Sequence, residues 1–132
     1  MENMRAMPIE HIHLSQQAKD QLVRLKRATG IDSWNVLCRW GLCVSLAEAR
    51  APATKRIPAD SNVEMTWRVF AGSHGSVYVA LLKERCVRDG LGVDESTLAT
   101  QFRLHLHRGI SYLASDKKLR GIESLVETVF AE

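Results

Sequence analysis

The sequence predicts a mainly α, single-domain protein of about five helices with one or two short strands, beginning strand-helix-helix. Three observations predict it. A chain of 132 residues is long enough to bury one real core and too short for two ordinary domains. Hydrophobic residues make up 45% and charged residues 25%, the balance of a folded globular protein. Apolar residues recur at helical spacing over most of the chain, and only two stretches alternate as strands do.

Residues 1–8 read as a flexible N-terminus and 9–132 as the helical domain. Ile9, Ile12 and Leu14 alternate imperfectly, enough for a short strand, and Ser15 offers an N-cap for the next helix. In Gln16 to Thr29, Ala18, Leu22 and Leu25 keep helical spacing, and Gly30 ends the segment. The polar side of this helix carries Lys19, Arg24, Lys26 and Arg27 against Asp20 alone, the most lopsided local charge in the chain. Asp32 or Ser33 caps a second helix to about Ala49, with only Arg39 and Glu48 charged after Ser33. A helix so apolar must be covered on most sides, which predicts a central element shared with a subunit interface.

Residues 50–62 hold Pro52, Pro58 and the pair Lys55-Arg56 and read as an internal loop. From Val63 to Phe70, Val63, Met65, Trp67 and Val69 alternate with polar residues, predicting a strand with one buried face. Gly72 and Gly75 break it. Ser76 to Asp89 predicts a helix with Val77, Ala80, Leu81, Leu82 and Cys86 inward, ending before Gly90. A fourth helix starts at Asp94 or Ser96 and runs to Leu113, weakened locally by Gly109. Asp116 caps a short last helix to Phe130.

Net charge is +3, with a sequence pI near 8.9, compatible with a nucleic-acid partner without requiring one. Cys38, Cys43 and Cys86 form no CxxC pair, and thiols among apolar neighbours fit burial in a reducing compartment. Met1 to Pro8 lacks the apolar core of a signal peptide, and no apolar run approaches membrane-spanning length, so a cytoplasmic protein is expected. His11 and His13 would share a strand face without an obvious third ligand, while His105 and His107 would diverge on a helix. Neither pair predicts a metal, and no cofactor is expected. Gly72 to Ser76 precedes a helix but lacks the phosphate-loop lysine, and reads as a strand-to-helix turn. No nucleophile motif is present, so no catalytic residue is expected. Trp34, Trp40 and Trp67 sit on apolar faces and read as core or interface residues.

Three segments together resemble the DndE family of DNA sulfur-modification proteins: Leu14 to Ile31, Trp34 to Leu46, and Val77 to Cys86 with its companion Leu104 to Leu113. The likeness covers nearly the whole chain after Pro8. It implies a role in phosphorothioation, in which sulfur replaces a non-bridging phosphate oxygen, with the sulfur-mobilising and ATP-dependent steps left to other subunits. It further implies a homotetramer whose basic surface binds duplex DNA, preferring nicked duplex, through lysines that match Lys19 and Lys26 here.

The expected function is therefore a non-enzymatic DNA-binding subunit of that machinery. Its candidate contacts are Lys19, Arg24, Lys26 and Arg27, with Lys55 and Arg56 weaker. Phosphate contact needs charge and reach rather than a particular side chain, and no recognition helix for base readout stands out. Two alternatives stay open. The strand-helix-helix start is ribbon-helix-helix-like, the pattern of regulators that lay paired strands in the major groove. An assembly or scaffold subunit with incidental DNA contact is the other.

Overall fold

The computed structural model of the chain describes residues 9–115. The elements run β1 (His11–His13), α1 (Gln16–Thr29), α2 (Trp34–Ala47), β2 (Glu64–Thr66), α3 (Trp67–Ala71), α4 (Gly75–Arg88) and α5 (Glu95–Ser115). A turn of 3-10 helix at Gly72–His74 joins α3 to α4. The helix expected after Asp116 lies outside the described residues.

The local signals for α1 act as expected. Ser15 Oγ accepts from the Ala18 N–H at 3.0 Å, and Gly30 takes the left-handed φ of 78° that closes the helix. The strand-helix-helix start is present, but β1 pairs within its own chain. It runs antiparallel to β2, with Ile12 opposite Met65.

The expected strand from Val63 to Phe70 stops at Thr66. There the Thr66 hydroxyl accepts from the Val69 N–H at 3.1 Å and starts α3. A strand would have buried Trp67 with Val69. The helical turn instead buries Trp67 with Phe70 and leaves Val69 52% exposed. Both aromatic rings then reach Phe102 of α5, at 5.5 and 5.3 Å between centroids.

In α4 the inward side is narrower than the sequence implied. Leu82 and Cys86 are buried, whereas Val77, Ala80 and Leu81 face outward. The start of α5 is set by Asp94, whose carboxylate accepts from the Thr97 N–H at 3.1 Å.

α2 is covered on most sides as expected, with only Ala47 exposed, and α5 is the second central helix. It packs most extensively on α2 and also touches α1 and α4, and Leu104, His105, Leu106 and His107 are all buried in succession. Gly109 sits where the two long helices cross. A Cβ there would fall 1.6 Å from the Gly41 carbonyl oxygen, so the backbones meet directly. Gly41 is tight as well, with a Cβ placed 3.0 Å from the Ile110 nitrogen. The glycine that weakens α5 as an isolated helix thus fixes its position in the fold.

Burying two histidines within α5 requires partners. The Ser45 hydroxyl lies 2.8 Å from His105 Nδ1. His107 donates from Nδ1 to the Arg103 carbonyl at 2.9 Å and accepts the Ser15 N–H at Nε2, 3.2 Å away. Burial pulls both imidazoles down to about 4, helped by Arg108 at His105 and opposed at His107 by the Arg103 carbonyl. Each is therefore neutral in the folded protein, and protonating His107 would remove the acceptor for Ser15.

Two expectations follow from this packing. Replacing Gly109→Ala forces Cβ into the α2 backbone and should cost about 3 kcal/mol or more, lowering Tm by roughly 10 °C. Gly41→Ala should cost less, and thermal unfolding of both variants checks the order; an unchanged Tm for Gly109→Ala contradicts the crossing. The histidines set a pH dependence. Their folded pKa lies below the ordinary value of 6.5, so the unfolded chain binds more protons between about 4 and 6.5. Their contribution, on the order of 3 kcal/mol each, is complete above about pH 6.5 and fades as pH falls toward 4. Urea midpoints should drop between about pH 7 and pH 4.5, and a flat profile would count against this account.

Candidate nucleic-acid interface

The basic residues of α1 do not form one row. Helical spacing places Lys19 and Lys26 on one flank, and Arg24 roughly 150° around the axis from them. Arg24 instead continues the line of Gln17 and Gln21, and Arg27 lies near the outward apex. The separation shows in the contacts. Lys19 Nζ donates to Asn62 Oδ1 at 2.7 Å. Lys26 Nζ stands 3.8 Å from the Trp34 ring centroid and 3.9 Å from Asp32. Arg24 and Arg27 are exposed, with no ion pair or hydrogen bond among the described residues.

The loop between α2 and β2 brings Lys55 and Arg56 to the Gln17–Gln21 side of α1. No helix or strand holds this loop, so its backbone carbonyls need other donors. Three arginines supply them. Arg85, 1% exposed, reaches from α4 to the carbonyls of Leu46, Glu48, Ala49 and Arg50, at 2.5 to 3.2 Å. This caps the open C-terminus of α2, where cationic donors are favoured. Asp89 holds the Nε of the same guanidinium at 2.9 Å.

Arg103 and Arg108 do the same from α5. Arg103 donates to His13 O at 2.5 Å, Ile57 O at 3.2 Å and Pro58 O at 2.9 Å. Arg108 donates to Ser45 O at 2.9 Å and Arg50 O at 2.8 Å. Burial lowers the pKa of both guanidinium groups, yet arginine keeps its charge at neutral pH. Neither forms an ion pair with a carboxylate among the described residues, so their positive charge is solvated by carbonyls and not cancelled.

The arrangement therefore brings Arg24, Lys55 and Arg56 to one side of α1, backed by Arg103 and Arg108. Lys19 and Lys26 point to the other side. Sequence reasoning missed the α5 arginines, although two cations on a helix with only Glu95 as a carboxylate were a signal. At the loop's far end, Asp60 Oδ1 accepts from the Gln16 N–H at 2.8 Å, which ties that carboxylate to the start of α1.

The other candidate groups are occupied or suppressed. Burial pushes the Cys38 thiol up to about 12, and raises Cys43 and Cys86 as well. His11 bonds Glu64, and His13 lies 2.6 Å from the Ser61 carbonyl. Among the described residues no group of three or more His, Cys, Asp or Glu side chains could hold a metal ion. No described helix is long and apolar enough to cross a membrane.

Comparisons with known proteins converge on one family. The family model for "DNA sulphur modification protein DndE" matches residues 11–121. The fold is similar to a crystal structure of DndE from Escherichia coli B7A involved in DNA phosphorothioation modification. That match has a TM-score of 0.67 and 22% identity, covering 82% of this chain and 99% of that one. A mutant of DndE with glycine-to-lysine changes, also described as involved in DNA phosphorothioation, matches with a TM-score of 0.61 and 20% identity. It covers 79% of this chain and 95% of that one. No curated protein matches. At these identities the structural likeness shows a shared fold, while the family match spans most of the sequence. The chain belongs to the DndE family, which is involved in DNA phosphorothioation.

Proposed function

We propose that this protein is a non-enzymatic, cytoplasmic DNA-binding subunit of the phosphorothioation machinery. It holds duplex DNA, intact or nicked, on its basic surface and works beside the other sulfur-modification subunits. The observation that carries the reading is the set of exposed cations Arg24, Arg27, Lys55 and Arg56, which have no ion pair among the described residues, with Arg103 and Arg108 adding charge beneath the last two. Such a surface releases counterions from duplex DNA, so affinity should fall steeply with salt. Lys19 and Lys26 are secondary contacts, since reaching a phosphate means leaving Asn62 or the Trp34 ring. A holding role also fits the suppressed thiols and the fully engaged His107.

The working unit is a homotetramer. Val36, Trp40 and Cys43 follow one another along α2 at i, i+4 and i+7, all half-buried. Cys43 lies in a shallow groove with Leu81, and Val77, one turn earlier on α4, is 52% exposed. An apolar strip across two helices is well suited to a second copy of the same surface.

Two measurements check these readings. Fluorescence anisotropy on intact and nicked duplex across a salt series should show a steep log–log slope for the wild type. Arg24→Ala/Arg27→Ala should reduce that slope by about 2, and Lys19→Ala/Lys26→Ala by less. Equal, weak, salt-independent binding of all three proteins would refute DNA binding. For the assembly, light scattering should give a tetramer that Val77→Glu/Leu81→Glu breaks; a wild-type monomer, or a variant of unchanged mass, would refute the interface.

A further inference from the structure

Beneath the loop between α2 and β2 lies a cavity of about 570 Å³. It is half open to solvent, and its volume falls within the range of small-molecule sites. The loop does not collapse into it because Arg103 and Arg108 hold the loop carbonyls at fixed distances from α5. Leu104 and His107 line it from α5, and Gln17 and Gln21 line it from α1. The space is framed by the same bonds that shape the basic surface.

Its chemistry has two parts. The first is charge. Arg50, Lys55, Arg56 and Arg108 line the cavity; among the described residues the carboxylates facing them are Glu48, paired with Arg50 at 3.1 Å, and Asp60, which already accepts the Gln16 N–H. Lys55 and Arg56 have no ion pair or hydrogen bond among the described residues, so there these two cations lack a counterion. Clustered lysine and arginine head groups are the usual receptor for a phosphate.

The second part would be wasted on a bare anion. Tyr112 lines the cavity, with the Arg108 guanidinium over its ring at 5.6 Å from the centroid, and an aromatic ring is a flat surface on which a planar base can stack. Pro52, Ile57 and Pro58 add apolar wall, and the Gln17 and Gln21 amides can both donate and accept. A phosphate joined to a flat, hydrogen-bonding ring satisfies both parts.

We propose that this cavity binds one deoxynucleotide, its phosphate at Lys55 and Arg56 and its base against Tyr112. The proposal rests on the DNA-holding reading for its natural source, an unstacked nucleotide at a strand end. The chemistry itself requires only a nucleoside monophosphate. Seating a nucleotide here would bring one strand to the Arg24 side of α1, where the free cations of the duplex surface begin.

Calorimetric titration of the full chain with deoxyadenosine monophosphate, deoxyadenosine and inorganic phosphate tests it. The monophosphate should bind about tenfold more tightly than either fragment. Tyr112→Ala should weaken it about tenfold while Tyr112→Phe retains it. The exposed loop variant Lys55→Ala/Arg56→Ala should weaken it about tenfold without disturbing the fold, and Lys83→Ala, an exposed cation on α4, should leave it unchanged. Absence of saturable binding, or equal binding of all three ligands, overturns the proposal. Wild-type protein that binds duplex in a salt-dependent manner but not the monophosphate sinks this proposal and leaves DNA holding intact. Monophosphate binding without duplex binding supports the cavity as a free-nucleotide site and overturns DNA holding.

Discussion

The basic side of the molecule depends on the place where Gly41 of α2 and Gly109 of α5 meet backbone to backbone. Side chains on both helices normally hold axes 8–10 Å apart, and two facing glycines remove that spacer. The close approach puts Ser45 beside His105 and lets Arg108 reach the C-terminal end of α2. It also brings the start of the loop over α5, within reach of the same guanidinium. A wider crossing would pull these donors from their carbonyls and leave the loop unsupported.

The second organising fact is how this fold spends its arginines. Buried guanidinium groups are usually matched by carboxylates, which cancel their charge. Among the described residues the half-buried Arg103 and Arg108 are matched by carbonyls, and the buried Arg85 by carbonyls together with Asp89. Carbonyl dipoles solvate a cation without neutralising it, so the loop is pinned and the surface stays positive. One set of side chains therefore provides both the rigidity of the loop and much of the local field. For a protein that handles a polyanion, this links folding to binding: the loop cations Lys55 and Arg56 are presented by a frame that is itself cationic.

Much of the fold was legible because its signals are local. Ser15 and Gly30 bound α1, Asp94 starts α5, and the apolar spacing of α1 names the residues that are buried. The failures share a cause: they depend on partners distant in sequence. Alternation from Val63 to Phe70 looked like a strand until the Thr66 cap and the aromatic contact with Phe102 turned it into a helix. Val77 and Leu81 looked inward because they are apolar, and Gly109 looked like a defect because its partner, Gly41, is 68 residues earlier. The burial of α5 was concealed by His105, His107, Arg103 and Arg108, polar residues whose partners lie on α2, the loop and the start of α1. At the candidate site, the basic residues of α1 were visible, and a helical projection would have shown that Lys19 and Lys26 leave Arg24 on the opposite flank. The arginine–carbonyl frame was not visible, since backbone acceptors carry no sequence signature.

The central claim is that α1 and the arginine-framed loop together form the surface that holds DNA. Hydrogen–deuterium exchange of the full chain, with and without duplex, tests it most directly because it reports the location of contact independently of affinity. The account predicts slowed exchange in residues 16–29 and 49–60 when duplex is present, reversed by raising the salt. Protection confined to α4, or none at any salt concentration that permits binding, would contradict it.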